Sequence, residues 1–390
     1  MAVLNSVFGL LERLENNYIT VHQNRCIVVR NRNASCRRCA EACTSGCISY
    51  ADNELTISPE KCIGCGTCAT VCPTCALEAH KPDDAELRGE LFTAAKAAGG
   101  SCTIACVDVL KEAEGSYDRA KVVGIACLGR VEESALIALA AAGVRRIELV
   151  SGDCEGCGYE KGLQTARSVC ESATTLLRAW NNDAEVHIVN ELPSSVLLTE
   201  ETGYDEGRRA FFFAMKGLAG RAMGYAAQEQ PEEAEADEPA RVRVMSDGTL
   251  PHFIPDRRER LLDCLSELGE PQDVLIETRL WGHVIIDTGL CNGCRMCATF
   301  CPTGAISKYV NRDRTSGVAY RPRDCVKCGC CADICPEDAL SISEEVFAVD
   351  LLSGAVERYE MRPMKSPPNN PHAILGAMKG LLKSDQIYER

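Results

Sequence analysis

Apolar positions between residues 85 and 189 recur at two different periods. Leu87, Leu91, Phe92 and Ala95 share one face of a 3.6-residue repeat, which predicts a helix over Ala85–Ala98. Glu132–Ala142 and Lys161–Trp180 read as helices on the same ground. Between them lie short apolar runs, Ser101–Ala105, Lys121–Ala126, Arg146–Val150 and Glu185–Val189, which read as strands. Strands separated by helices imply a parallel sheet. The longest near-apolar run, Ala135–Val144, is too short to span a bilayer, so no transmembrane segment is expected. Arg208–Tyr225 forms an amphipathic pattern, as do Ile374, Leu375, Met378, Leu381 and Leu382 after Pro367–Pro371. Either helix could dock a partner or pack on its own domain. Ala226–Ala240 holds six carboxylates and two prolines with no aliphatic side chain larger than alanine, and reads as a flexible linker.

The chain has 390 residues, of which 26 are cysteine. That density belongs to small secreted disulfide domains or to metal-binding proteins. The start, Met1–Leu10, has no basic region or long apolar core before Glu12 and Arg13, so export is not expected. The expectation is a cytoplasmic protein in a reducing compartment whose thiols bind metal. The net charge of −14 argues against nucleic acid, which needs concentrated Lys and Arg.

The cysteines fall into zones: ten from Cys26 to Cys75, six from Cys102 to Cys170, nine from Cys291 to Cys335, with Cys264 alone. In the last zone, Cys291-x2-Cys294-x2-Cys297-x3-Cys301-Pro302 is repeated as Cys325-x2-Cys328-x2-Cys331-x3-Cys335-Pro336, with an extra thiol at Cys330. The tails Thr-Gly-Ala-Ile-Ser and Glu-Asp-Ala-Leu-Ser also match. Residues 283–345 thereby resemble the bacterial two-cluster ferredoxins. The resemblance implies one [4Fe-4S] cluster on Cys291, Cys294, Cys297 and Cys335 and another on Cys325, Cys328, Cys331 and Cys301. It also implies that each fourth cysteine starts a short helix. Paired zinc knuckles would not call for a third cysteine two residues on, or for Cys-Pro.

The first zone holds one complete copy, Cys62-x2-Cys65-x2-Cys68-x3-Cys72-Pro73. Upstream, Cys36, Cys39 and Cys43 align with the second, third and fourth positions, and Asn33 stands where the first cysteine belongs. Cys26, from a longer loop before the apparent strand Ile27–Val29, and Cys47, from inside the helix expected after Cys43, are the two candidates to replace it. Cys26 is favoured, because Cys47 occupies a packed alanine position of the motif. The expected sets are Cys26, Cys36, Cys39 and Cys72, and Cys62, Cys65, Cys68 and Cys43; one good cluster beside a broken site is the alternative.

In the middle zone, Cys106, Cys127, Cys154 and Cys157 each follow a predicted strand. Ligands of an open parallel sheet bind beyond the carboxyl ends of its strands. Cys127-Leu-Gly-Arg130 and Gly152-Asp-Cys154-Glu-Gly-Cys157-Gly-Tyr159 resemble the delta subunit of methyl-viologen-reducing hydrogenase over residues 99–165. That family carries a [2Fe-2S] cluster and links a hydrogenase to a heterodisulfide reductase. This chain departs from it in having Cys102-x3-Cys106 and Cys154-x2-Cys157. A [2Fe-2S] cluster among Cys102, Cys106, Cys127, Cys154 and Cys157, a structural zinc, and a redox dithiol or bare thiols remain the three readings. Cys170 reads as core.

No Gly-x-Gly-x-x-Gly follows a strand, and no Walker loop, nucleophile elbow or His-Glu-x-x-His is present. The fold class expected is α/β plus α+β: a central parallel-sheet domain over 83–200 flanked by two small bis-[4Fe-4S] modules. These occupy 1–82 and 246–345, with the helix at 201–225, the linker at 226–245 and a tail at 346–390. The expected function is an electron-transfer subunit with four [4Fe-4S] clusters and room for a [2Fe-2S]. It would serve a hydrogenase, a formate dehydrogenase or a heterodisulfide-reductase-like enzyme. A free-standing polyferredoxin and a cluster-based redox sensor are the alternatives.

Overall fold

A computed structural model of the chain describes residues 18–51, 53–198, 245 and 248–362. The two amphipathic helices and the acidic linker expected from the sequence lie outside the described residues. Among those residues no helix is long and apolar enough to cross a membrane.

The N-terminal part has four short strands: β1 (Ile19–Val21), β2 (Ile48–Ala51), β3 (Glu54–Ile57) and β4 (Leu77–Ala79). β1 pairs antiparallel with β4, and β2 with β3. The middle holds β5 (Ser101–Cys106), β6 (Val122–Ile125), β7 (Arg146–Val150) and β8 (Glu185–Val189), a parallel sheet in the order β6-β5-β7-β8. Its crossovers carry helices Glu133–Ala141 and Lys161–Ala179, and helix Asp84–Ala97 precedes β5. These elements stand within a residue or so of the predicted ones, because strand and helix periods differ clearly there.

The C-terminal part holds β9 (Leu275–Glu277), β10 (His283–Ile286), β11 (Ile306–Val310), β12 (Ser316–Tyr320), β13 (Leu340–Ser343), β14 (Glu345–Phe347) and β15 (Glu357–Glu360). The antiparallel pairs β10–β13 and β11–β12 repeat the arrangement of β1–β4 and β2–β3. β15 adds to the free edge of β12, and β14 pairs with β9.

Two local expectations are corrected. Ile27–Val29 is not a strand but part of a helical turn, Ile27–Arg30, whose Arg30 and Asn31 amides donate to the carbonyls of Cys26 and Ile27. β-branched residues favour strands only where a sheet edge can receive them. Here Ile27 is instead buried against Ile334 and Cys330. Nor does the fourth cysteine of a motif start a helix. The short helices Thr67–Val71 and Met296–Phe300 carry Cys68 and Cys297 and end at Cys72 and Cys301.

The largest core lies around the parallel sheet, and the C-terminal part is built into it. Leu261, Leu262 and Leu265 of helix Asp256–Leu268 join Leu136, Leu139 and Leu149, together with Ile276, Trp281 and Leu351. Polar anchors fix the same junction. Asp83 caps helix Asp84–Ala97, receiving the amides of Ala85 and Glu86 at 2.8 Å each. The next residue, Asp84, accepts from Arg257 at 2.6 and 2.8 Å, from Arg130 at 2.7 Å and from Arg260 at 3.1 Å. Arg257 also donates to the carbonyl of Ala69, in the N-terminal part, at 2.8 Å. A second anchor joins Arg279 to the buried Glu133 at 2.6 and 2.5 Å and to the Thr70 carbonyl at 3.1 Å. One carboxylate in each cluster therefore ties all three parts together.

The guanidiniums hold Asp84 well below the usual carboxylate range, against the upward push of its burial. A carboxylate depressed in the folded state contributes stability that is complete above its unfolded value, near pH 4. That contribution is lost as pH falls through the depressed folded value. Removing the charge strands three guanidiniums, so Asp84→Asn should lower stability at pH 7 by about 3 kcal/mol. The difference from wild type should shrink as pH falls below about 4. Urea unfolding of both proteins between pH 7 and pH 3 measures it; a constant difference would contradict the assignment.

Candidate metal centres

The complete cysteine motifs share a backbone signature. Left-handed residues occupy the third and fifth positions of each: Gly64 and Gly66, Gly293 and Arg295, Lys327 and Gly329. Alternating right- and left-handed residues turn successive amides inward, a nest of the kind that receives an iron–sulfur cluster. Arg295 and Lys327 adopt this conformation at φ 58° and 49° although neither is glycine. The upstream copy lacks the signature, since Arg37 at the fifth position has φ −131°. Losing the cysteine at Asn33 goes with losing the nest.

The turn after each fourth cysteine is common to all four copies. Gly46, Cys75, Gly304 and Asp338, three residues on, are left-handed. The next residues, Cys47, Ala76, Ala305 and Ala339, are all buried. The Ala76 and Ala339 amides donate to the Cys72 and Cys335 sulfurs at 3.2 and 3.3 Å. Cys47 thus stands at the alanine position, in a loop just before β2, not in a helix.

Four groups of thiols result. Cys26, Cys36, Cys39 and Cys72 face one another. Cys62, Cys65 and Cys68 are joined by Cys43, with Cys47 beside them. Cys291, Cys294 and Cys297 meet Cys335. Cys325, Cys328 and Cys331 meet Cys301 around a small apolar cavity of about 20 Å³, lined also by Val284, Tyr320 and Ile342. Each fourth cysteine lies beside the other group of its part.

Hydrogen-bond donors surround these sulfurs. The Tyr50 hydroxyl donates to Cys39 at 2.8 Å, while burial pushes that thiol up to about 12. Cys47 lies 3.6 Å from the Cys43 sulfur and also meets Cys62. Cys62 is pulled below its ordinary value, chiefly by that contact with Cys47 and then by the Gly64 amide, against its burial. Cys47 therefore stands beside the Cys62 group, with Cys43 and Cys62 as its neighbouring thiols. Tyr50 and these thiol contacts of Cys47 were missed from the sequence, where an aromatic in a strand and a cysteine at an alanine position both read as core.

The middle cysteines behave differently. Cys106 ends β5, Cys127 follows β6, and Cys154 and Cys157 follow β7, all at the carboxyl edge of the sheet. Cys154 faces Cys157 and Cys106, and Cys127 faces Cys154 and Cys157. Cys102 does not join them. It lies four residues back along β5, roughly 13 Å at strand rise, buried against the Leu91 carbonyl. Cys170 is core, as expected. Close approach tightens this edge: a Cβ on Gly162 would stand 2.0 Å from the Cys127 sulfur.

The groups also neighbour one another in space, one after the next. Cys127 and Tyr159 feel Cys65. Cys68 feels Cys39. Cys36 and Cys301 both act on Cys330, which lies buried between them. Cys331 feels Cys297. Bonds across the parts hold this row. Lys161 donates to the Glu41 and Cys43 carbonyls at 2.9 and 3.0 Å, and the Ser35 amide and hydroxyl donate to Asp333 at 2.7 and 2.8 Å.

Family models match in both cysteine-rich parts: a 4Fe-4S dicluster domain over residues 290–339 and a 4Fe-4S binding domain over residues 55–78. An uncharacterized ferredoxin of Methanocaldococcus jannaschii is 38% identical over 64 residues, 16% of this chain and 97% of that protein. An indoleacetate decarboxylase activating enzyme of Tractidigestivibacter scatoligenes is 36% identical over 98 residues, 24% of this chain and 28% of its own. A ferredoxin-type protein, NapH, of Escherichia coli is 37% identical over 57 residues, 15% of this chain and 20% of that protein. This chain thus spans under a third of the latter two.

The placement of Cys26 and Cys47 predicts opposite outcomes for two substitutions. Serine is nearly isosteric with cysteine but a poor iron ligand. Cys26→Ser should remove about one cubane of iron or leave a three-iron cluster with its own paramagnetic signal. Cys47→Ser should leave the iron count unchanged. Iron analysis with electron paramagnetic resonance decides; iron loss on Cys47→Ser alone would transfer the ligand role.

Proposed function

From a chain that belongs to the ferredoxins, iron–sulfur proteins of electron transfer, we propose a multi-cluster subunit that relays electrons to or from a catalytic redox partner. Four [4Fe-4S] clusters would be held by Cys26, Cys36, Cys39 and Cys72; by Cys62, Cys65, Cys68 and Cys43; by Cys325, Cys328, Cys331 and Cys301; and by Cys291, Cys294, Cys297 and Cys335. A [2Fe-2S] cluster would take Cys106, Cys127, Cys154 and Cys157, without Cys102. When bound, such clusters supply one-electron chemistry, with potentials set by charge, burial and hydrogen bonds to sulfur.

The observation that carries this reading is the row of thiol groups. It runs from the sheet edge, past Cys65, Cys68 and Cys39, across Cys330, and on to Cys297. A carrier that exchanges electrons singly with soluble partners needs no such continuity. A connector with one partner at each end does. The sheet-edge group, with Cys106, Cys154 and Cys157 half-buried, would be one end and the Cys291 group the other. The resemblance of residues 99–165 to the hydrogenase delta subunit favours a hydrogenase, formate dehydrogenase or heterodisulfide-reductase-like partner at the first of these. The proposed parts are the N-terminal module 1–82, the α/β domain 83–200 and the C-terminal module 246–345, joined through 201–245 and followed by a tail from 346.

The anaerobically purified protein should carry about sixteen iron atoms in four cubanes, plus about two if the sheet-edge site is [2Fe-2S], with matching sulfide. Cys154→Ser should remove only the last two. Zinc in place of iron would overturn the reading.

A further inference from the structure

Part of the boundary between the N- and C-terminal parts is an apolar seam. Ile27 and Ala34 pack there against Cys330 and Ile334, with Met296, Phe300 and Cys36 at the margin. Into this apolar seam the helical turn Ile27–Arg30 brings a charged side chain. Arg30 is 6% exposed. Its Nη1 donates to the Asn24 carbonyl at 3.1 Å, while Nε and Nη2 are buried without a hydrogen-bond partner. Among the described residues it forms no ion pair with a carboxylate, in contrast to Arg130, Arg257 and Arg279. A guanidinium stays charged in a protein and is not buried unpaired without a counter-charge. The turn that carries it packs against Cys330 and, at the margin, Cys328, and the sulfurs that act on Arg30 are those of Cys330, Cys301 and Cys328; Cys301 and Cys328 would be thiolates once they hold a cluster.

We propose that Arg30 is the counter-charge of the cluster held by Cys301, Cys325, Cys328 and Cys331, and that it raises that cluster's reduction potential. The inference rests on the preceding reading that this group of thiols holds a cubane. Reduction adds one electron to a cluster whose four thiolates already make it negative, and no proton need follow. A fixed positive charge in a low-dielectric seam favours the reduced form. Arg30 belongs to the N-terminal part, whereas the four ligands belong to the C-terminal part. The potential at the crossing is therefore set by a residue from the opposite side, and correct docking of the two parts is a condition for it.

The test is a mediated titration with dithionite, followed by electron paramagnetic resonance, on the anaerobic full chain and its Arg30→Met and Arg30→Lys variants. With Arg30→Met, one [4Fe-4S] component should become harder to reduce. Its oxidised-to-reduced ratio at fixed potential should rise at least tenfold, or 59 mV for one electron. The other components should hold their positions and the iron content its value. Arg30→Lys, which keeps the charge, should recover more than half of the shift. If Arg30→Met loses iron, Arg30→Gln provides the uncharged comparison. No component moving while all the iron is retained would overturn the proposal, as would a lysine variant displaced as far as the methionine one. A wild-type protein with iron in every group except Cys301, Cys325, Cys328 and Cys331 would instead fail the underlying reading.

Discussion

Three guanidiniums, from Arg130, Arg257 and Arg260, converge on the carboxylate of Asp84. The rest of the arrangement depends on that convergence. Asp84 opens the helix that leads into the parallel sheet, Arg130 follows the second strand, and Arg257 comes from the C-terminal part and also holds a carbonyl of the N-terminal part. Partly buried charges of this kind add little net stability compared with apolar packing, but they are costly to break. Their effect here is to define one relative position of the three parts. Glu133 and Arg279 repeat the device on the other side of Thr70.

With the three parts fixed, the thiol groups come into register. Each group lies within electrostatic reach of the next. The two ends of the molecule use the same small fold, a strand pair plus a hairpin, and the same left-handed turns. They differ where the first motif has lost a cysteine. There Cys26, from upstream, stands beside Cys36 and Cys72, and the turn that follows it, Ile27–Arg30, meets the C-terminal part. The irregular copy is the one at the crossing.

The sheet, its helices and the three complete cysteine motifs were legible in the sequence, because strong periodicity and regular motif spacing each encode local geometry directly. The Cys47 position was legible too, since the turn after Cys43 matches three other copies. Cys102 was not: a strand places residues four apart on one face, but nothing in the spacing says that helix Asp84–Ala97 covers the nearer of the two. Ile27–Val29 misled because three β-branched residues look like a strand until a partner edge is sought. Arg30 and Asp84 were invisible, since an arginine or aspartate reads as solvated until tertiary contacts bury it. The missing cysteine at Asn33 gave no hint of where the segment around Cys26 would dock.

The most direct measurement is diffraction from anaerobic crystals of the full chain at the iron absorption edge. The account predicts four compact iron sites in one row: at the Cys43–Cys62 group, the Cys26–Cys36 group, the Cys301–Cys325 group and the Cys291–Cys335 group. A further, smaller iron site is expected at Cys127 beside the first of these. Iron missing from the Cys26 group, or single metal ions in place of clusters, would contradict it.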